Sequence, residues 1–411
     1  MLENVKRFDM QKKPTRQKLR PLIWLLCLPA VYARKNKITK VNMDGIKPPY
    51  LLLCNHNAFM DFKVASKAIF PHRANYVVAI DGFIKREKLL RKVGGICKRK
   101  FTNDITLIKQ LKRVIDNGDI AVIYPEARYS LCGTTAVLPS SIGKLAKFLG
   151  VPVVTLICNG HHINSPFWNL HDRKVKHTTA TMTCIANTND VAKLSADELT
   201  KKITDAFYYD DFKWQKDNHI EIKYSGRAEG LHKVLYQCPN CLAEYKMTSN
   251  GVNLTCSNCG KSWFMTTLGE LQALGGKTEF SHIPEWYEWE RENVKKEIEQ
   301  GKYNFASEVH VDSLPNSDGY IHLGKGFLEH NINGFKLTGN YNGEDYIVEI
   351  PSSILYSVHI EYEYLGKFGD CVDLNTLNDT LYVYPEGENF SVTKISLATE
   401  EIYKYLKNKK S

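Results

Sequence analysis

Tyr50–Phe62 reads YLLLCNHNAFMDF: five residues of strand-like character, then Asn55 and His56, with Asp61 five positions beyond the histidine. A short continuous apolar run bounded by polar residues is the pattern of a strand buried on both faces. Runs of this kind recur as NYVVAI (75–80), IAVIY (120–124) and VPVVTLIC (151–158). ITLIKQLKRVIDNG (105–118) spaces its apolar residues three and four apart and ends in Gly118, and SSIGKLAKFLG (140–150) has a serine start and a glycine stop. Both spacings predict helices. Strands alternating with helices predict an α/β fold, a layered domain with a mixed sheet flanked by helices, in which functional groups collect at strand ends.

His56 stands at such an end. A neutral imidazole, with an unperturbed pKa of about 6.5, can take a proton from a hydroxyl near neutral pH when a carboxylate fixes its tautomer and stabilises the cation formed. Asp61 is the nearest carboxylate. Residues five apart on a regular helix diverge, so the pairing requires the chain to turn after His56 and to start its helix a residue or two later. Asn55 would hold that turn through side-chain to backbone bonds. On spacing alone the inert alternative stands ahead: a histidine closing a strand and an aspartate near a helix start.

Three further stretches follow in order: GGICKRKF (94–101), YPEARYS (124–130) and VPVV (151–154). With NHNAFMD (55–61) they resemble the glycerolipid acyltransferases typified by 1-acylglycerol-3-phosphate acyltransferase. That family is marked by a histidine, four residues and an aspartate, then a basic motif, a PEGTRS-like motif and a final VP strand. The resemblance spans residues 20–210 and reverses the weight in favour of catalysis. It implies that His56, oriented by Asp61, takes the proton from a glycerol-backbone hydroxyl as it attacks the thioester of acyl-CoA or acyl carrier protein, in one step without an acyl-enzyme. It also implies an acceptor site built from Asn55, Glu126, the basic block Lys98, Arg99 and Lys100, and Arg128. The acceptor the resemblance implies is a lysophospholipid, 1-acylglycerol-3-phosphate by default, with a product expected to feed phospholipid synthesis. Cys54, inside the apolar run, reads as a packed thiol rather than a nucleophile. The chain departs from PEGTRS in having Ala127 for the glycine, Arg128 one place early and Tyr129 at the usual arginine position. Lys100 stands where the family more often has arginine, and a lysine contacts phosphate as a point charge rather than a fork. These departures leave a second reading open: a catalytically degenerate acyltransferase scaffold serving as a zinc-ribbon protein- or nucleic-acid-binding module.

CPNC (238–241) and CSNCG (256–260) place Cys238, Cys241, Cys256 and Cys259 in two C-x2-C pairs, with SNG between strand-like flanks. Four thiolates at this spacing predict a zinc ribbon whose metal is structural, because four sulfur ligands leave no position for substrate. No organic cofactor is expected. The ribbon loop carries one lysine and one aromatic, too few for a phosphate-binding surface, so no nucleic-acid partner is expected. Further on, IPEWYEWERENVKKEIEQG (283–301) reads as a helix whose Trp286 and Trp289 pack on neighbouring protein. From Glu308 onward, strand-like segments with Gly, Asn and Pro turns precede a last helix, ATEEIYKYLKN (398–408), the pattern of a pleckstrin-homology-type β barrel.

The chain has 411 residues, is 43% hydrophobic and carries a net charge of +10, enough for two or three folded domains. Residues 1–43 hold eleven Lys/Arg against Glu3 and Asp9, whereas residues 301–411 hold nine against sixteen Asp/Glu. The basic segment contains PLIWLLCLPAVYA (21–33), too short to span a bilayer but suited to a helix in its interface, with Trp24 and Tyr32 near the headgroups. An ordinary helix docked on the core with a solvated basic arm is the alternative. No long apolar span and no cleavage signal are read, so a cytoplasmic protein attached peripherally to the inner membrane face is expected. The expected divisions are a membrane arm (1–43), an acyltransferase domain (44–230), a zinc ribbon (231–270), a linker helix (271–302) and a β-rich accessory domain (303–411).

Overall fold

The computed structural model describes residues 5–409. The first four residues of the expected arm and the last two of the accessory domain lie outside that range. The chain divides into two units, the first comprising Asp9–Lys98 and Asn103–Ile220. Its elements, in chain order, are α1 (Arg20–Ala33), β1 (Lys37–Val41), β2 (Leu51–Cys54), α2 (Met60–Ala68), β3 (Ala74–Ala79), α3 (Glu87–Lys92), β4 (Gly95–Lys98), α4 (Ile105–Asp116) and β5 (Ile120–Ile123). There follow α5 (Ile142–Leu149), β6 (Val153–Asn159), α6 (His161–Asn164), β7 (Thr179–Ala186), α7 (Thr188–Lys193), α8 (Ala196–Ala206) and α9 (Asp211–Asp217).

The strands form one seven-stranded sheet in the order β1-β7-β6-β2-β5-β3-β4. Only the β6–β7 pairing is antiparallel, so the sheet is mixed, as expected. β2 lies between β5 and β6, with Leu51 opposite Ala121 on one side and Val153 on the other. Its side chains alternate between two cores: Leu52 and Cys54 pack with Val31, Val64 and Tyr76, while Leu51 and Leu53 pack with Leu111, Ile142 and Leu199. That double burial is why YLLLC is apolar throughout, and the shared direction of β2, β5 and β6 brings their carboxyl ends to one edge.

From Asp9 onward the expected arm is not separate from this unit. Ile23, Cys27 and Val31 of α1 are buried, α1 packs on α2, and β1 pairs with β7. α1 leaves its opposite side uncovered: Leu25 is 70% exposed and Leu26 65%. Among the described residues no helix is long and apolar enough to cross a membrane.

The second unit takes Arg99–Thr102 and the chain from Glu221 onward, together with the described residues up to Phe8. The division therefore falls after Ile220 rather than after residue 230, because Arg227 Nε donates to Met265 O and Ala228 N to Gly251 O, tying this stretch to the ribbon. The ribbon sheet is β11-β10-β9-β8, built from β8 (Met247–Asn250), β9 (Asn253–Cys256), β10 (Ser262–Met265) and β11 (Leu271–Ala273). β11 extends it beyond the expected limit at residue 270. α10 (Ile283–Glu299) lays Trp286 edge-on to Trp263 at 4.9 Å, so this aromatic is packing.

The remaining elements are β12 (Phe305–Ser313), β13 (Ile321–Asn331), β14 (Gly334–Tyr341), β15 (Glu344–Pro351), β16 (His359–Glu361), β17 (Cys371–Asn375), β18 (Thr380–Pro385) and α11 (Val392–Asn408). The strands form an antiparallel sheet ordered β15-β14-β13-β12-β18-β17-β16, followed by the single helix expected. β15 and β16 are its two edges, so hydrogen bonding does not close it into the expected barrel.

Candidate active site

Three strand ends of the first unit supply the site: His56 follows β2, Glu126 follows β5 and His161 follows β6. After Cys54 the chain runs through a turn and enters α2 only at Met60, later than the spacing suggested, which brings Asp61 back beneath His56. Asp61 Oδ2 accepts the backbone N–H groups of Asn57 (2.6 Å) and Ala58 (2.8 Å) and lies 3.7 Å from His56 Nδ1. At that separation the imidazole and carboxylate interact electrostatically, short of a hydrogen bond.

Sequence reading missed the other partner of Asp61. Oδ1 lies 2.5 Å from Nδ1 of His161, the first residue of α6. Burial pulls the Asp61 carboxyl up, but the hydrogen bond from His161 and the proximity of His56 outweigh it and hold it at about 2. The group is therefore a carboxylate near neutral pH and can only accept. A histidine at the end of the strand beside β2 is the signal that would have pointed to it.

Asp61 and His161 are fully enclosed, whereas the His56 side chain keeps 24% of its surface. Nδ1 of His56 is buried, so the open edge of the ring is the one bearing Nε2. Tyr124 and Tyr129 flank the imidazole, each with its ring centroid 4.4 Å away. The departure at Tyr129 thus places an aromatic wall where the family motif has arginine. The departure at Ala127 is conformational: its φ is 55°, in the left-handed region that a glycine enters without cost.

Glu126 is fully buried and braces the His56 turn rather than facing a substrate. Oε1 accepts His56 N at 2.9 Å, and Oε2 accepts Ala136 N at 2.8 Å and lies 3.2 Å from the Tyr209 hydroxyl, which in turn is 3.0 Å from Asn57 Oδ1. Burial pushes its carboxyl up to about 8 against these donors, with the charge of Asp61 adding to the rise. Ser130 N donates to His56 O at 2.9 Å, closing the same loop from the motif's last residue.

Asn55 is also a framework residue. Its amide exchanges two hydrogen bonds with the Cys158 backbone, Nδ2 to O at 2.9 Å and N to Oδ1 at 2.8 Å, locking β2 to β6. It is buried and its amide serves the sheet, which replaces the expected contact with substrate. Arg128 is likewise buried, at 4% exposure.

The basic block does not act as one group. Lys98 closes β4 in the first unit, where burial lowers its pKa against the opposing charge of Asp104. Arg99 belongs to the second unit and is 1% exposed. Its guanidinium donates to Leu314 O (2.9 Å), Thr380 Oγ1 (2.8 Å), Pro315 O (3.0 Å) and Asn378 O (3.1 Å). Lys100 lies 3.8 Å from Asp373 and 3.9 Å from Glu361 of that unit. Arg99 and Lys100 are thus engaged by carbonyls and carboxylates, which corrects their expected role as phosphate ligands.

Cys238, Cys241, Cys256 and Cys259 come together as read. Sγ of Cys238 is 3.8 Å from that of Cys259, and Cys241 is 3.7 Å from Cys256. A tetrahedral zinc with bonds of about 2.3 Å sets its sulfurs roughly 3.8 Å apart, so the four residues fit a metal ion. Asn240 and Asn258 each point an amide N–H at a sulfur, at 3.5 Å, a polar surround that suits thiolates.

Residues 31–159 match the family model described as acyltransferase. The stretch holds the histidine–aspartate motif, the basic block and the glutamate motif, and apart from Arg99–Thr102 it lies in the first unit, which thus carries the acyltransferase match. Among solved structures the chain is similar to the 1-acyl-sn-glycerophosphate (LPA) acyltransferase PlsC from Thermotoga maritima, with 14% identity, 46% of this chain and 77% of that chain covered, and a TM-score of 0.37. No curated protein matches the chain.

Proposed function

We propose that this chain transfers a fatty acyl group from the thioester of acyl-CoA or acyl carrier protein to a hydroxyl of a lysophospholipid, 1-acylglycerol-3-phosphate by default, in phospholipid synthesis. The observation that carries the reading is the His56–Asp61 pair, 3.7 Å apart, with only the histidine open to solvent. His56 Nε2 takes the proton of the acceptor hydroxyl as its oxygen attacks the thioester carbonyl, and Asp61 offsets the charge of the imidazolium. Collapse of the tetrahedral intermediate breaks the C–S bond, and the departing thiolate recovers the proton from His56. Tyr124 and Tyr129 hold the ring plane while Glu126 fixes the backbone beneath it.

The acceptor is reached at the inner face of a membrane. This reading is supported by the uncovered side of α1, with Leu25, Leu26 and Tyr32 exposed, and by Phe59, 64% exposed and two residues ahead of Asp61. Arg20 and Lys67 lie over the rings of Trp24 and Tyr32, a mixture of cations and aromatics suited to anionic headgroups. Zinc, held by the four cysteines, stabilises the ribbon and takes no part in transfer.

The deciding experiment offers a panel of lysophospholipids and glycerol phosphate with acyl-CoA and acyl carrier protein donors, and identifies products by mass spectrometry. A product that depends on His56 is expected. Absence of acyl transfer with every pair would overturn the reading.

A further inference from the structure

We propose that His161 is a positioning residue for His56: by donating its Nδ1–H to Asp61 it holds the carboxylate in the orientation that keeps the His56 proton on Nδ1 and leaves Nε2 bare. The inference rests on the acyltransferase reading for its kinetic consequence, though not for its structural one.

Asp61 accepts on both oxygens, since Oδ2 takes the N–H groups of Asn57 and Ala58 while Oδ1 faces His161. Two N–H groups on one oxygen leave the carboxylate free to tilt about that oxygen. A donor on Oδ1 removes the freedom, and the 2.5 Å contact supplies one. Because a carboxylate only accepts, the proton in that contact belongs to His161 Nδ1, which settles the His161 tautomer. Its Nε2 is buried and has no hydrogen-bond partner among the described residues, as expected of a ring whose one task is to donate through the other nitrogen.

His161 is itself rigidly placed. Gly160 takes φ 87° between β6 and α6, and a Cβ there would come within 2.8 Å of the Trp214 ring. Asp211 then ties the turn, accepting from Gly160 N (2.7 Å), His162 N (2.8 Å) and Ile163 N (3.3 Å). Tyr129 stands against the His56 ring, and Cys54, Tyr124, Glu126, Cys158, His162, Tyr209 and Asp211 are further titratable groups around the carboxylate and the two imidazoles. None of them donates a hydrogen bond to Asp61 among the contacts of the described residues. His56, at 3.7 Å, is too far to orient the carboxylate by itself. The chain Asp211, α6, His161, Asp61, His56 therefore carries position from the backbone to the base.

The test is nitrogen NMR of histidine-labelled full-length protein, with His56 and His161 signals assigned by their loss in His56→Gln and His161→Asn. In the wild type both residues should carry hydrogen on Nδ1. In His161→Leu the His56 proton should shift mainly to Nε2, and in His161→Asn, whose amide N–H falls near the Nδ1 position, it should return to Nδ1. Turnover should fall about 10²-fold in His161→Leu with KM unchanged, the scale of loss when a reacting group is misplaced by about 1 Å, and recover in His161→Asn. A bare Nδ1 on wild-type His161 overturns the proposal even if the leucine variant does not fold. An unmoved His56 proton in a folded His161→Leu also overturns it. If no acyl transfer occurs in the wild type, the acyltransferase reading fails while the tautomer measurement still decides the role of His161.

Discussion

Asp61 divides its carboxylate between two histidines, 2.5 Å from Nδ1 of buried His161 and 3.7 Å from Nδ1 of His56. Only the second imidazole reaches solvent, so only His56 can meet a substrate hydroxyl. His56→Ala should abolish transfer while leaving thermal stability and metal content unchanged. Asp61→Asn should lower turnover by about 10⁴-fold, because an amide offers no charge to offset the imidazolium and favours the wrong tautomer. Steady-state rates with the preferred acceptor, read beside circular dichroism, check both variants. An active, folded His56→Ala protein would remove the mechanism.

Glu126 makes the stability of the protein depend on pH in a defined direction. Its carboxyl titrates at about 8 in the folded chain against an ordinary value of 4.5, so the folded state holds a proton that the unfolded state has released. The stability associated with that proton is complete below pH 4.5 and is lost as pH rises through about 8. The proton also balances the hydrogen bonds. A Tyr209 hydroxyl has one hydrogen and faces both Asn57 Oδ1 and Glu126 Oε2, so a protonated Oε2 donates to Tyr209 while Tyr209 donates to Asn57. Glutamine cannot copy this arrangement, since either amide orientation aims N–H at a backbone donor, from His56 or from Ala136. Glu126→Gln should cost roughly 1–3 kcal/mol and flatten the decline between pH 5 and 8. Urea titrations across that range measure it, and an unchanged slope would sink the assignment.

How much of this was legible depends on separation and polarity. The strands β2, β3, β5 and β6 were visible because burial on both faces makes β2 and β5 continuously apolar and β3 and β6 largely so. β7 and β1 were not: TATMTCIA alternates exposure and burial with threonine on the open face, and KITKV is mostly exposed. α11 was placed at Ala398, yet it begins at Val392 because the Ser391 side chain caps Lys394 N. His161 lies 100 residues from Asp61, and no local pattern couples them. Arg99 misled for another reason. A cation within a basic block reads as a phosphate ligand, and only the folded second unit reveals four acceptors already waiting for it.

Removing Arg99 should therefore be a stability event. Arg99→Met takes the donor from Leu314 O, Asn378 O and the Thr380 hydroxyl, and one of two donors from Pro315 O, in a buried setting, which should cost at least about 1–3 kcal/mol. Equilibrium unfolding in guanidinium provides the measurement. A variant of unchanged stability but raised KM for a phosphate-bearing acceptor would restore the phosphate role.

The proposed membrane attachment through α1 has a clear arithmetic. Leu25 and Leu26 are 70% and 65% exposed, and each leucine buried in an apolar phase contributes about 1.5–3 kcal/mol. Leu25→Glu with Leu26→Glu should lower binding to anionic vesicles by more than about tenfold, leaving the fold intact because Ile23, Cys27 and Val31 carry the docking side of the helix. Vesicle sedimentation reads the loss. Equal binding of variant and wild type would detach α1 from the membrane role.

The ribbon should stand or fall with its metal. The four sulfurs form a site with edges of 3.7 and 3.8 Å, and without an ion four closely spaced thiols would be left at the turn between Gln237 and Lys261. Trp286 donates Nε1–H to Gln237 O at 3.0 Å and packs on Trp263, so loosening of the turn reaches the α10 aromatics directly. Cys256→Ser, or exhaustive treatment with a zinc chelator, should release one equivalent of zinc per chain and change tryptophan fluorescence and near-ultraviolet circular dichroism together. Because four cysteines close the coordination sphere, added acyl-CoA or lysophospholipid should not alter the zinc absorption-edge spectrum of the loaded protein. A metal-free protein with unaltered tryptophan signals would show that the cysteines need no ion.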